Sequence, residues 1–229
     1  MRMTWAAALL LLVGGAGRAQ VETQYPGTAG SIIPIGESAW SATAGRTVGS
    51  GNSVLLAEAG WPGISFTFLH GADERTDWGA RVNFNYKYMN TDTNLTGVDL
   101  QVPYRLRMTN DQDSSFGVVL QASPGVTLYS NNGSAQFGFA LPLGVVLGTR
   151  VSDTVTLDAG MDIPVLLSIT NPFGVVFGPL FGVGGEYLVD RNIAVTARIR
   201  VGPEVSLNHT GSDSQVGVQT LIGVAYNMR

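Results

Sequence analysis

Residues Trp78–Tyr88 read WGARVNFNYKY, and the spacing of this stretch decides the fold. Trp78, Ala80, Val82, Phe84, Tyr86 and Tyr88 form one set, and Gly79, Arg81, Asn83, Asn85 and Lys87 form the other. Successive side chains of a strand point to opposite faces, so this period of two gives one apolar and one polar face. The next stretch repeats it, with Val98, Leu100, Val102, Tyr104, Leu106 and Met108 against Asp99, Gln101, Pro103, Arg105 and Arg107. The same alternation continues towards the C-terminus, and nowhere does a helical period replace it.

Strands are expected over Ser53–Gly60, Gly63–Leu69, Trp78–Tyr88, Val98–Met108, Phe116–Tyr129, Ala135–Val151, Val155–Ile169, Phe173–Val189, Ile193–Leu207 and Val216–Met228. Turn chemistry separates them, as in Asp73–Asp77, Asn90–Asn94, Asn131-Asn132-Gly133, Asn171-Pro172 and Asp190-Arg191-Asn192. The first two segments are either one long strand or a tight hairpin about Trp61-Pro62. The expected fold is all-β, an antiparallel up-and-down barrel of about ten strands, with eight or nine as the alternatives. Pro103, Pro124, Pro142, Pro164, Pro179 and Pro203 fall inside the expected strands. Each removes a ladder donor, so they mark bulges, kinks or strand ends.

The region before these strands reads differently. Residues 1–19 combine a basic start, the apolar run Trp5–Val13 and small residues at Gly17-Arg18-Ala19, the pattern of a cleaved signal peptide. Removing Arg2 and Arg18 takes two positive charges from the formal −4, leaving about −6. Residues 20–52, rich in Gly, Ser, Thr and Ala, read as an arm, with a short strand at Ser31–Ile35; residues 53–229 are the barrel. The acidic balance argues against nucleic acid, and the lack of cysteine excludes a disulfide scaffold and a lipid-anchored cysteine.

The apolar faces are too large for a small barrel's interior. One strand alone offers Phe116, Val118, Leu120, Ala122, Val126 and Leu128. They suit an outer, lipid-facing band, with Trp78, Tyr88, Phe116, Tyr129, Phe173, Tyr187 and Tyr226 near strand ends as interfacial girdles. With its export signal, absent cysteine and girdled alternating strands, the chain resembles a small bacterial outer-membrane β-barrel protein. The likeness covers about residue 53 onward and departs from the family at Tyr226-Asn227-Met228-Arg229, where such proteins usually close on an aromatic residue. The resemblance implies a Gram-negative outer membrane as location, outer-membrane lipid as partner, and small solutes or ions if the lumen is open.

In that phase the inward charges are Arg81, Lys87, Asp99, Arg105, Arg107, Asp158, Asp162, Glu186, Arg198, Arg200 and Glu204. Buried charges are costly unless paired, so the two signs should meet. A symmetric Met89–Gly97 connection would set Lys87 opposite Asp99 and Arg81 opposite Arg105. Inward glycines, Gly182 and Gly184 among them, would let Arg198 or Arg200 reach Asp158 across the strand between. The rival expectation is a narrow, anion-preferring pore, since the inward cations slightly outnumber the acids.

Chemistry finds little support. Only His70 and His209 are present, and His209 with Ser206, Ser212 and Asp213 is explained by turn composition. Asn90, Asp92 and Asn94 alternate like calcium ligands, but Gly97 falls in the wrong place for a hand-type loop. No cofactor and no metal site is expected. The expected role is non-enzymatic, structural or envelope-maintaining, with a small-solute channel and then a soluble ligand-binding barrel as alternatives.

Overall fold

The computed structural model describes residues 40–86, 95–109, 116–131, 134–170, 173–208 and 211–228. The signal-peptide segment, the Ser31–Ile35 strand, Lys87, Tyr88 and His209 lie outside the described residues. Among the described residues there is no helix.

The first segments form a hairpin, β1 (Ser53–Trp61) and β2 (Gly63–Gly71), which turns through a cis Trp61-Pro62 bond. Strand β3 (Thr76–Asn85) follows. The next ten elements come as collinear pairs: β4 (Leu95–Gln101) with β5 (Tyr104–Arg107), β6 (Phe116–Ala122) with β7 (Gly125–Asn131), β8 (Ser134–Ala140) with β9 (Leu143–Arg150), β10 (Val155–Ile163) with β11 (Val165–Ser168), and β12 (Gly174–Phe177) with β13 (Leu180–Leu188). Two long strands complete the chain, β14 (Ile193–Asn208) and β15 (Gly211–Met228).

Among the described residues fifteen strands therefore stand where about ten were expected. The excess has a physical cause in Pro103, Pro124, Pro142, Pro164 and Pro179. Each lies at the break within one collinear pair, because a residue without an N–H cannot donate to the ladder. Pro203 sits inside β14 without dividing it. Pairing keeps the same offset across the breaks: Gln101 faces Gly125 and Tyr104 faces Ala122. The prolines also fall beside one another. Val102 N–H donates to the Pro124 carbonyl at 2.8 Å and Ser123 N–H to the Pro142 carbonyl at 2.9 Å.

All pairings are antiparallel, and every strand has neighbours on both sides. β1 joins β15, while β12–β14 and β3–β5 connect the two ends of the strand order. The sheet closes on itself, although among the described residues Gly211–Gln219 of β15 run past the end of β1 and pair with β14 alone. Its outward face carries Phe66, Leu100, Leu128, Phe181, Val183, Ile199 and Ile222, all exposed. The alternate positions hold the buried polar groups, from Glu58 and Thr67 to Asp158, Glu186 and Arg200. A small apolar cluster also lies inside, where Val54, Leu56, Leu69, Ala194 and Ala225 pack with Trp40, Ala42 and Val48.

Of the expected girdle, Trp78, Phe116, Phe173, Tyr187 and Tyr226 are exposed. Tyr129 is a correction. It is in phase with the buried Thr127, while its neighbour Leu128 is exposed, so alternation sends Tyr129 to the lumen side.

Candidate functional site

The interior is organised from the end where β1 begins and β15 finishes. Here the chain preceding β1 lies within the ring. Ser41, Ala42, Ala44, Thr47 and Val48 are buried, and Gly45 touches the wall at Gly117 and Gly148. A Cβ on Gly45 would come within 2.4 Å of the Gly117 carbonyl oxygen and the Gly148 nitrogen, so only glycine allows this approach.

Polar wall groups satisfy the backbone of this arm. Arg105 forms an ion pair with Asp77 at 3.2 Å and donates to the carbonyls of Ser41 and Ala44, each at 3.1 Å, and of Arg46. Asp77 in turn accepts the Val48 N–H. Glu186 Oε1 accepts the N–H groups of Ala42 at 2.9 Å and Thr43 at 2.7 Å, and the Thr43 hydroxyl. Trp40 Nε1 donates to the Arg191 carbonyl at 3.0 Å. Arg107, also buried, donates through Nε to Thr109 Oγ1.

This geometry corrects the expected register. Arg81 faces Gln101, Asn83 faces Asp99 and Arg105 faces Asp77. The like-charge confrontation of Arg81 with Arg105 does not arise, because the β3–β4 connection is asymmetric and sets Gln101 opposite Arg81, while β3, which begins at Thr76, brings Asp77 opposite Arg105. Asp77 has the same parity as Arg81, so extending the alternation by two residues would have found it. Glu58, inward on β1, was missed as well. Glu58 and Asp77 both add to the inward acids, and the excess of cations behind the anion-pore expectation disappears.

Farther along the barrel the charges pair. Arg200 reaches Asp158 at 3.1 Å and Asp162 at 3.3 Å, and Gln121 donates to Asp162 at 2.8 Å. Between Arg200 and Asp158 lies β13, where Gly182 faces Arg200 and Gly184 faces Asp158. A Cβ on Gly184 would stand 2.7 Å from Asp158 Oδ2. Arg198 pairs with Glu58 at 3.0 Å, and Ser65 Oγ donates to the same carboxylate. Glu204 is buried on β14 with no hydrogen-bond partner for Oε2 among the described residues.

Beyond this layer is a cavity of about 1040 Å³, counting the space open to solvent. Its lining runs from Leu180 and Leu221 to Pro62 and Gly63, at the β1–β2 turn, away from the arm. Arg81, Asp99, Asp162 and Arg198 supply its charges, and Asn83, Asn85, Gln101, Gln121 and Gln219 its amides. Asp99 accepts from Asn85 at 2.8 Å, from Asn83 and from Thr127. Arg81 donates through Nε to Thr67 Oγ1 at 2.9 Å.

No protein-family model and no curated protein matches the chain. Among solved structures it is similar to the outer membrane protease OmpT from Escherichia coli, at 10% identity and a TM-score of 0.38. That match covers 78% of this chain and 94% of that one. It is also similar to the KdgM porin in complex with disordered oligogalacturonate, at 11% identity and a TM-score of 0.35, covering 78% of this chain and 99% of the porin. Likenesses this loose transfer neither role nor site residues.

Two outcomes are expected. Gly184→Leu should separate Arg200 from Asp158 and cost about 3–5 kcal/mol, the usual penalty for breaking a buried pair. Urea unfolding of the refolded barrel measures it, and an unchanged midpoint would contradict the crossing. Arg105→Ala should loosen the arm, so limited proteolysis should cut within Ser41–Val48 in the variant while the parent chain resists.

Proposed function

We propose that this protein is an integral outer-membrane β-barrel of a Gram-negative bacterium, non-enzymatic, with a structural or envelope-maintaining role. The observation that carries the reading is the division of the wall. A closed sheet turns an apolar band outward and its ionised groups inward. A water-soluble barrel has the opposite need, because its outer face meets water and its apolar residues must be hidden. Outer-membrane lipid is the partner that such a band implies.

A structural role is favoured over passage because the arm fills the terminus-side end of the lumen and is held there by Arg105, Asp77 and Glu186. The second reading, a narrow path for small solutes or ions, is favoured by the cavity beyond.

A planar bilayer separates the two readings. The full chain, shown to be folded by heat-resistant gel mobility, should give no conductance steps; reproducible steps would overturn the structural role in favour of passage. A chain lacking residues 40–48 should conduct. The membrane assignment has its own test in Ile199→Lys. A lysine in the lipid-facing band should cost about 2–4 kcal/mol near the bilayer midplane. At an exposed site of a soluble barrel it would stay within about 0.5 kcal/mol.

A further inference from the structure

We infer that the cavity beyond the arm is a binding site for a small zwitterion of the amino-acid or short-peptide class. Four charged residues line it, and two of them are already neutralised: Asp162 by Arg200, and Arg198 by Glu58. The other two are not. Among the described residues neither Arg81 nor Asp99 has an ion-pair partner. Arg81 has its Nε on Thr67, and Asp99 is held by the neutral donors Asn83, Asn85 and Thr127.

The two groups stand on adjoining strands. Arg81 faces Gln101 and Asn83 faces Asp99 in the same ladder, so guanidinium and carboxylate occupy diagonal inward positions. Diagonal neighbours lie roughly 7–8 Å apart at their backbones, too far for an automatic contact and close enough for one small molecule to touch both. A ligand carboxylate suits Arg81, whose planar donors match two oxygens at once. A ligand ammonium suits Asp99.

A second observation points to the same ligand class. Gln101, directly opposite Arg81, is buried, and among the described residues its Oε1 has no hydrogen-bond partner. A buried acceptor left without a donor is costly, and an N–H-bearing ligand at Arg81 would supply one. A simple anion has no donor to give. This assignment stands on the lumen alone and does not depend on the membrane reading.

The test is isothermal titration of the folded full chain in detergent with glycine and triglycine as zwitterions, and with acetate and methylammonium as their single-charge halves. At least one zwitterion should bind saturably and more tightly than either half. Arg81→Gln and Asp99→Asn should each weaken it about tenfold or more, the scale of one charged hydrogen bond. Gln101→Glu guards against loss through misfolding. It places a carboxylate opposite Arg81, so the barrel should keep its heat-resistant mobility while zwitterion binding is lost. If neither zwitterion binds, or if acetate binds as tightly and Asp99→Asn has no effect, the assignment is overturned.

Discussion

One guanidinium governs the terminus-side end of this barrel. Arg105 joins two wall strands through Asp77 and, with its remaining donors, takes up three carbonyls of the arm. A chain segment without secondary structure inside a protein has polar backbone groups that must all find partners. Arg105 serves its acceptors, while Asp77 and Glu186 serve its donors. Cation and carboxylates thus divide the work by the sign of the dipole they face. Remove the guanidinium, and the arm's carbonyls lose their donor while the Asp77 carboxylate loses its counter-ion and keeps only the Val48 N–H.

Farther in, the same economy operates through absent side chains. An arginine spanning a whole strand needs a gap in the wall's inner surface. Gly184 provides it between Arg200 and Asp158, as Gly45, Gly117 and Gly148 do where the arm meets the wall. Glycine is usually a weak strand residue. Inside this ring its lost packing is offset by contacts that any Cβ would obstruct. The high glycine content and the charged interior are therefore linked.

Most of the wall was legible from the alternation in Trp78–Tyr88 and its repeats, because the period of a strand depends only on local geometry. The proline positions were legible too, although their effect was not: each of five divides a segment, and the count of strands rises accordingly. Register was hidden. It depends on how unequally the β3–β4 connection takes residues from its two sides, and composition has no bearing on that. The arm was hidden for a deeper reason. Trp40–Val48 has no periodicity of its own, and its place is set by Arg105 and Glu186, which lie more than fifty residues away in the chain. Glu58 escaped because a single acid within an apolar strand carries no pattern, and Asp77 because the turn chemistry of Asp73–Asp77 claimed it before the alternation was extended to it.

These features make the two ends of the lumen chemically unlike. On the arm side the wall's charges are consumed: Asp77 is spent on Arg105 and Val48, and Glu186 on the arm's amides. On the other side, among the described residues, Arg81 and Asp99 form no ion pair beside an accessible space. Pairing them directly would have removed that cost with a small change of register, since Arg81 opposite Asp99 needs only a two-residue slip. Such a slip keeps every side chain on its own face. It would, however, move Asp77 out of line with Arg105 and release the arm. The register that holds the arm is thus the one that leaves the cavity's two charges apart.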